Sequence, residues 1–195
     1  MIRRLAQLAA MVVAAMLLIA MQRSTPSYDT LTGPIPVSGV SGETVTARSF
    51  TVRVDRVEFA RRLQFGSPGF EKQRDTGGVW AIVTATLAAR DATVTVAGAE
   101  WEGPTGTRYS TSDRLSGARA LFPGQTLQPG TPVRGRFVFE IPADQMQGAT
   151  LRVSQAQFPR FDSLLRISLD RGDGRALQIR DTLDLARPPL GLGEP

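Results

Sequence analysis

Leu127–Pro142 reads L-Q-P-G-T-P-V-R-G-R-F-V-F-E-I-P, and its grammar is that of a turn followed by a strand. Proline at 129 presets φ near −65°, and glycine at 130 accepts the positive φ that the next turn position demands. From Val133 the side chains alternate. Val133, Gly135, Phe137, Phe139 and Ile141 take one face, and Arg134, Arg136, Val138 and Glu140 take the other. A strand with one buried and one wetter face is expected. Pro142 has no N–H to give a ladder and closes it.

Working outward, the same grammar recurs on both sides. Phe50, Val52 and Val54 alternate with polar residues, then the apolar parity slips to Val57 and Phe59. A one-residue slip at Asp55-Arg56 is what a β-bulge produces. Val79–Leu87 is apolar or threonine throughout, including Trp80, as a strand covered on both faces requires. Thr93–Trp101 reads as a strand with a bulge at Gly98, and Gly103-Pro104-Thr105-Gly106 as a type I turn leading to Arg108-Tyr109-Ser110. Thr150–Ser154 and Leu164–Leu169 are further strands. Asp173-Gly174 reads as a hairpin turn, with the return beginning at Ala176–Ile179. Short strands, frequent turn signals and no amphipathic helix point to a sandwich.

Upstream lies a different chemistry. Leu5–Met21 is apolar except for Gln7 and follows Arg3-Arg4. As a helix it measures roughly 26 Å at about 1.5 Å per residue, against a hydrocarbon core of ~30 Å. A cleaved signal peptide would end at Ala20, with bulky Leu18 at the −3 position, so an uncleaved anchor is the better fit. Positive residues before the apolar run would keep the N-terminus cytoplasmic and the body periplasmic or extracellular. The expected organisation is residues 1–22 as membrane anchor or signal peptide and 23–42 as flexible linker. An immunoglobulin-like β-sandwich follows at 43–186, and 187–195 form a disordered tail. The fold class is therefore an all-β immunoglobulin-like β-sandwich behind one N-terminal transmembrane helix.

Composition removes several function classes. The 195 residues contain no cysteine and no histidine. That excludes disulfides, thiolate metal sites, Ser-His-Asp catalysis and the usual general base near neutral pH. The formal charge is +5, but Arg3, Arg4 and Arg23 carry three of those charges, and the rest of the chain is at +2. A nearly balanced body argues against nucleic acid as a partner. No cofactor is implied and no catalysis is expected.

The order of motifs resembles a known family. Gly42-Glu43-Thr44-Val45, the Phe50–Val57 and Val79–Leu87 strands, Gly106–Tyr109, Leu127–Gly130 and Gly135–Pro142 follow one another as in bacterial exported immunoglobulin-like domains of unknown function, related to mycobacterial secreted immunogenic proteins. The likeness runs from about Gly42 to Ser154, and the L-x-P-G…G-x-F-V-F-E-I-P block is its most specific part. It implies the sandwich and an exported location, and no activity. Family members often end the central strand with asparagine, where this chain has Ala88-Ala89-Arg90.

One region stands out as a candidate partner site. Arg61, Arg62, Lys72 and Arg74, with Phe65 and Phe70 among them, lie in what reads as a long Gly- and Pro-containing connection, Arg61–Gly78. Basic and aromatic residues on such a loop suit a protein partner or anionic headgroups; a solvated loop with its phenylalanines tucked onto the core is the plain alternative. Glu100/Glu102 share one strand face and read as a solvated pair. Arg171-Gly172-Asp173 spells an integrin-recognition tripeptide but reads as a polar turn. Asp170 and Asp173 lack a calcium-ligand ladder. The functional expectation is a membrane-anchored cell-envelope protein with an extracytoplasmic binding domain. It would be held in the membrane by its N-terminal helix and would engage an envelope protein. The alternatives are an accessory subunit of a larger envelope complex and a cleaved, soluble secreted protein.

Overall fold

A computed structural model describes residues 2–24, 33–67, 69–118, 120–122, 124–156, 163–170 and 178–186. It divides into two units, Met1–Gly33 and Pro34–Pro195. The second unit holds strands β1 (Ile35–Val40), β2 (Thr44–Thr46), β3 (Phe50–Ser67), β4 (Phe70–Ala89), β5 (Val94–Thr95) and β6 (Gly98–Glu102). They are followed by β7 (Arg108–Ser110), β8 (Thr126–Leu127), β9 (Val133–Ile141), β10 (Thr150–Ser154), β11 (Ser163–Ser168) and β12 (Ile179–Asp184). One sheet has the order β1-β11-β10-β6-β7; the other has β12-β3-β4-β9, with β2 added beside β3; β5 and β8 form a short pair of their own.

The turn and strand at Leu127–Pro142 form as their residues dictate. Gly130 sits at φ +76°, and Thr131 N donates to Gln128 O at 3.3 Å to close the turn. Strand β9 runs antiparallel to β4, from Leu87↔Val133 to Val79↔Ile141. Phe137 and Phe139 are fully buried between the sheets. Phe139 lies 6.0 Å from the Trp101 ring, and Trp101 meets Phe59 edge-on at 5.9 Å. Gly135 is extended, and its missing side chain is the seat of the Phe122 ring: a Cβ there would come within 2.5 Å of it. The bulge expected at Asp55-Arg56 is present as a register shift between Val54 and Arg56.

The central-strand reading of Val79–Leu87 also holds, because the β3–β4 sheet has apolar cover on both sides. Its inner face joins the main core, while Trp80 and Ile82 on the outer face belong to a second cluster with Ala60, Leu63, Phe65, Leu115, Val138, Leu183 and Leu185. That second cluster changes the meaning of β9's other face. Arg136 was expected to be wet; it is 8% exposed, and its Nη1 donates to Leu185 O at 3.1 Å. Burial pulls its pKa down, Glu58 and Asp184 push it up, and Arg134 lowers it further.

Three other expectations are corrected. Ile35–Val40, assigned to the linker, is a sheet strand, pairing in parallel with β11. Strand β12 does not return beside β11; it crosses to the other sheet and runs parallel to β3. Gly98 marks close approach and not a bulge: it sits opposite Ser154 in unbroken register, where a Cβ would collide with the Ser154 hydroxyl. The Asp173-Gly174 turn, Arg171-Gly172-Asp173 and the 187–195 tail lie outside the described residues.

The first unit contains α1, Ile2–Ser24. The transmembrane part of the fold expectation fails here: no helix among the described residues is long and apolar enough to cross a membrane. The physical reason is the length of the apolar run. Arg3, Arg4, Gln7, Gln22 and Arg23 occupy the ends of the helix, and the stretch between spans less than a ~30 Å hydrocarbon core. The single-pass cell-membrane location with a cytoplasmic N-terminus, the signal-anchor function and the membrane as a partner through this helix all rested on that span, and fall with it.

Candidate functional site

The region read as a long connection is regular structure. Strands β3 and β4 pair without interruption from Arg62↔Asp75 to Ser67↔Phe70, after a second register shift between Ala60 and Arg62. Glycines make the tip possible, Gly66 at φ +119° and Gly69 at φ +85°, values that cost a side chain dearly. Pairing with β9 stops at Val79, so Phe70–Gly78 of β4 form one side of an arm; β12 runs beside β3 as far as Gln64, and only the tip beyond it is two-stranded. The sequence missed this because charged, exposed residues show no apolar alternation, and the bulge at Arg61 resets the parity.

Directly opposed residues in a ladder share a face, and this sorts the candidate residues. Leu63 faces Arg74, Phe65 faces Lys72 and Ser67 faces Phe70; Arg62 faces Asp75, Gln64 faces Gln73 and Gly66 faces Glu71. Leu63 and Phe65 are buried in the second cluster, roofed by Leu183 and Leu185. Phe65 is therefore a core residue, and the Arg74 guanidinium lies over its ring at 6.0 Å. Phe70 is the opposite case, 81% exposed at the tip. Arg61, at the bulge, and Lys72 are exposed as well.

Arg62 is committed to the other face. Its Nε and Nη2 donate to the two oxygens of Asp75, the second at 3.3 Å. The hydrogen bond from Arg62 holds the Asp75 carboxyl below its usual range. The base of the arm is tied down by a separate set. Arg114 donates from Nη1 to both Glu140 oxygens at 2.8 and 2.9 Å and from Nη2 to Asp75 O at 3.1 Å, and lies over Trp80 at 5.4 Å. Trp80 Nε1 donates to Arg74 O at 3.1 Å, and Thr76 Oγ1 to Glu140 at 2.6 Å. No sequence signal marks Arg114, whose partners lie 26 to 39 positions away in no regular pattern; it ties the base of the arm to β9.

The other clusters do not assemble chemistry. Glu100 and Glu102 sit on β6, an interior strand flanked by β10 and β7, and not at a solvated edge. Glu102 accepts from Arg152 Nη1 and from Arg166 Nη2 at 2.6 Å, with Arg108 Nε 3.4 Å away. Burial alone would raise its pKa, but Arg152, by hydrogen bond and charge, with Arg166 and Arg108, holds it below the usual carboxylate range. A general acid needs the reverse shift. Among the described residues no three of Asp, Glu, His or Cys stand close enough to hold a metal ion. A cavity of about 310 Å³ lies against β9, between Thr111–Ala118, Leu121 and Phe122. Its lining includes one carboxylate, Asp113, beside the hydroxyls of Thr111, Ser112 and Ser116, and no second acid or base to pair with it. The described residues thus hold no enzyme-like active site.

No protein-family model and no curated protein matches the chain. Solved structures do. The YjhA protein of Bacillus subtilis is 18% identical with a TM-score of 0.50, over 68% of this chain and 99% of that one. A secreted protein of Mycobacterium tuberculosis gives 16% and 0.49, over 67% and 97%. An uncharacterised β-sandwich protein of Clostridium difficile gives 13% and 0.45, over 73% and 99%. The chain is distantly similar to bacterial β-sandwich proteins, and the YjhA likeness supports the immunoglobulin-like sandwich fold.

Proposed function

We propose that this chain is an exported, non-catalytic accessory protein whose immunoglobulin-like domain attaches to its target through the β3–β4 arm. The observation that carries the reading is Phe70, an aromatic held at 81% exposure on the tip of a braced two-stranded ladder. Leaving a large apolar ring in water forgoes about 1.5–3 kcal/mol of burial, a cost that contact with a target recovers. Of the candidate residues, Phe70, Lys72 and Arg74 are the contact row, Arg61 flanks it, and Phe65 and Arg62 support it. Membership of the exported family rests on the L-x-P-G…G-x-F-V-F-E-I-P block, and the N-terminal segment is its removable export signal, with Arg3-Arg4 before an apolar run.

The test is retention of the protein on its native particulate fraction, comparing the wild type with Phe70→Ser. The variant should wash off at lower salt while melting at the same temperature, because an exposed side chain contributes little to folding. Equal retention of both proteins across the salt series removes the arm as the contact element.

A further inference from the structure

The charges of the arm are sorted by face. Its outer face carries Phe70, Lys72 and Arg74 in a row on alternate residues, and no acid. The opposite face carries one cation, Arg62, with Asp75 and Glu71, and Asp184 of β12 lies on that side opposite Gln64. The acids have been sorted away from the exposed ring. Successive members of the row are about 6.6 Å apart along the strand, so the ring and both cations meet one plane together.

Building on the reading of the arm as contact element, we propose that its occupant is an anionic lipid surface, engaged peripherally. Phe70 enters the headgroup boundary, and Lys72 and Arg74 lie against the lipid phosphates. A protein interface of standard size needs 20–30 residues on each side, which a single row on a convex tip does not supply. A lipid surface asks only for an apolar tip and cations beside it. Arg74 suits the role because the Phe65 ring beneath fixes its guanidinium and leaves the face away from that ring to the lipid. Lys72 and Arg74 also have a plainer use, since charges on an unpaired strand edge discourage edge-to-edge association; that use requires no lipid affinity.

The experiment is co-sedimentation of the mature protein, beginning at Met21, with vesicles of phosphatidylcholine alone or with about one third phosphatidylglycerol. The proposal expects preference for the phosphatidylglycerol vesicles, lost on raising salt. Lys72→Gln should weaken partitioning about fivefold, the equivalent of about 1 kcal/mol per cation. Phe70→Ser should weaken it at least as much, and Gln73→Ala on the opposite face should leave it unchanged. Partitioning that ignores lipid charge, or that Phe70→Ser and Lys72→Gln leave intact, overturns the lipid proposal. A photo-crosslinker at position 70 then separates the two levels of the account. Crosslinks to a protein keep the arm as the contact element with a different occupant, whereas crosslinks to nothing remove the arm reading as well.

Discussion

Truncating Phe139 to alanine probes the packing on which the sandwich depends. The ring is fully buried, pairs across β4 with Ala81, and lies 6.0 Å from Trp101, which in turn meets Phe59. Removing a buried phenylalanine ring costs about 3–5 kcal/mol, including about 0.5–1.5 kcal/mol of aromatic pairing beyond the area term. Native domains hold only about 5–15 kcal/mol in total, and without cysteine no disulfide limits the unfolded chain. With a urea dependence of about 2 kcal/mol per molar, the midpoint should fall by about 1.5–2.5 M. Intrinsic fluorescence reads it directly, since Trp80 and Trp101 are both fully buried. Phe137→Ala should behave alike, because that ring packs 5.1 Å from Phe122. A midpoint shift below about 0.5 M for both variants, equivalent to about 1 kcal/mol and the size of an ordinary substitution, would refute the two-layer core.

Other consequences follow from single contacts. Arg136→Ser removes a charged donor from Leu185 O and should cost about 1.5–3 kcal/mol in the same urea assay. Glu102→Gln removes one of the two carboxylates beside the nearly buried Arg152, leaving Glu100 at 3.4 Å, and should cost up to about 3 kcal/mol near neutral pH. Because the folded Glu102 pKa is depressed, its stabilisation is complete above the unfolded value of about 4.3 and is lost as pH falls through the folded one. The melting curves of wild type and Glu102→Gln should therefore converge in acid. Mass spectrometry of the exported protein should find a mature N-terminus at Met21, after Ala20; an intact Met1 would contradict removal of the signal.

Where side chains obey a local rule, the sequence was readable. Pro129-Gly130, the alternation of Val133–Ile141 and the parity slip at Asp55-Arg56 each report backbone geometry within a few residues, and each is found in place. The arm was not readable, because Arg61–Gly78 is a ladder whose outer reach buries little, leaving no apolar period to detect. Nor was the burial of Arg136, since the cover comes from Leu185, 49 positions away. Strand β1 is short and contains Pro36, and its partner β11 lies far along the chain. The N-terminal helix is legible as a helix, but its apolar stretch falls short of a membrane span. Of the candidate site, the residue types were visible and their faces were not. Opposed pairing alone separates Phe70, Lys72 and Arg74 from Arg62.

The claim that this face of the arm meets the target is tested most directly by photo-crosslinkers installed singly at positions 70, 72 and 73 in native cells. Positions 70 and 72 should attach to the target, and position 73, next to Lys72 on the same strand but on the opposite face, should not. Equal attachment from all three positions, or attachment from position 73 alone, would contradict it.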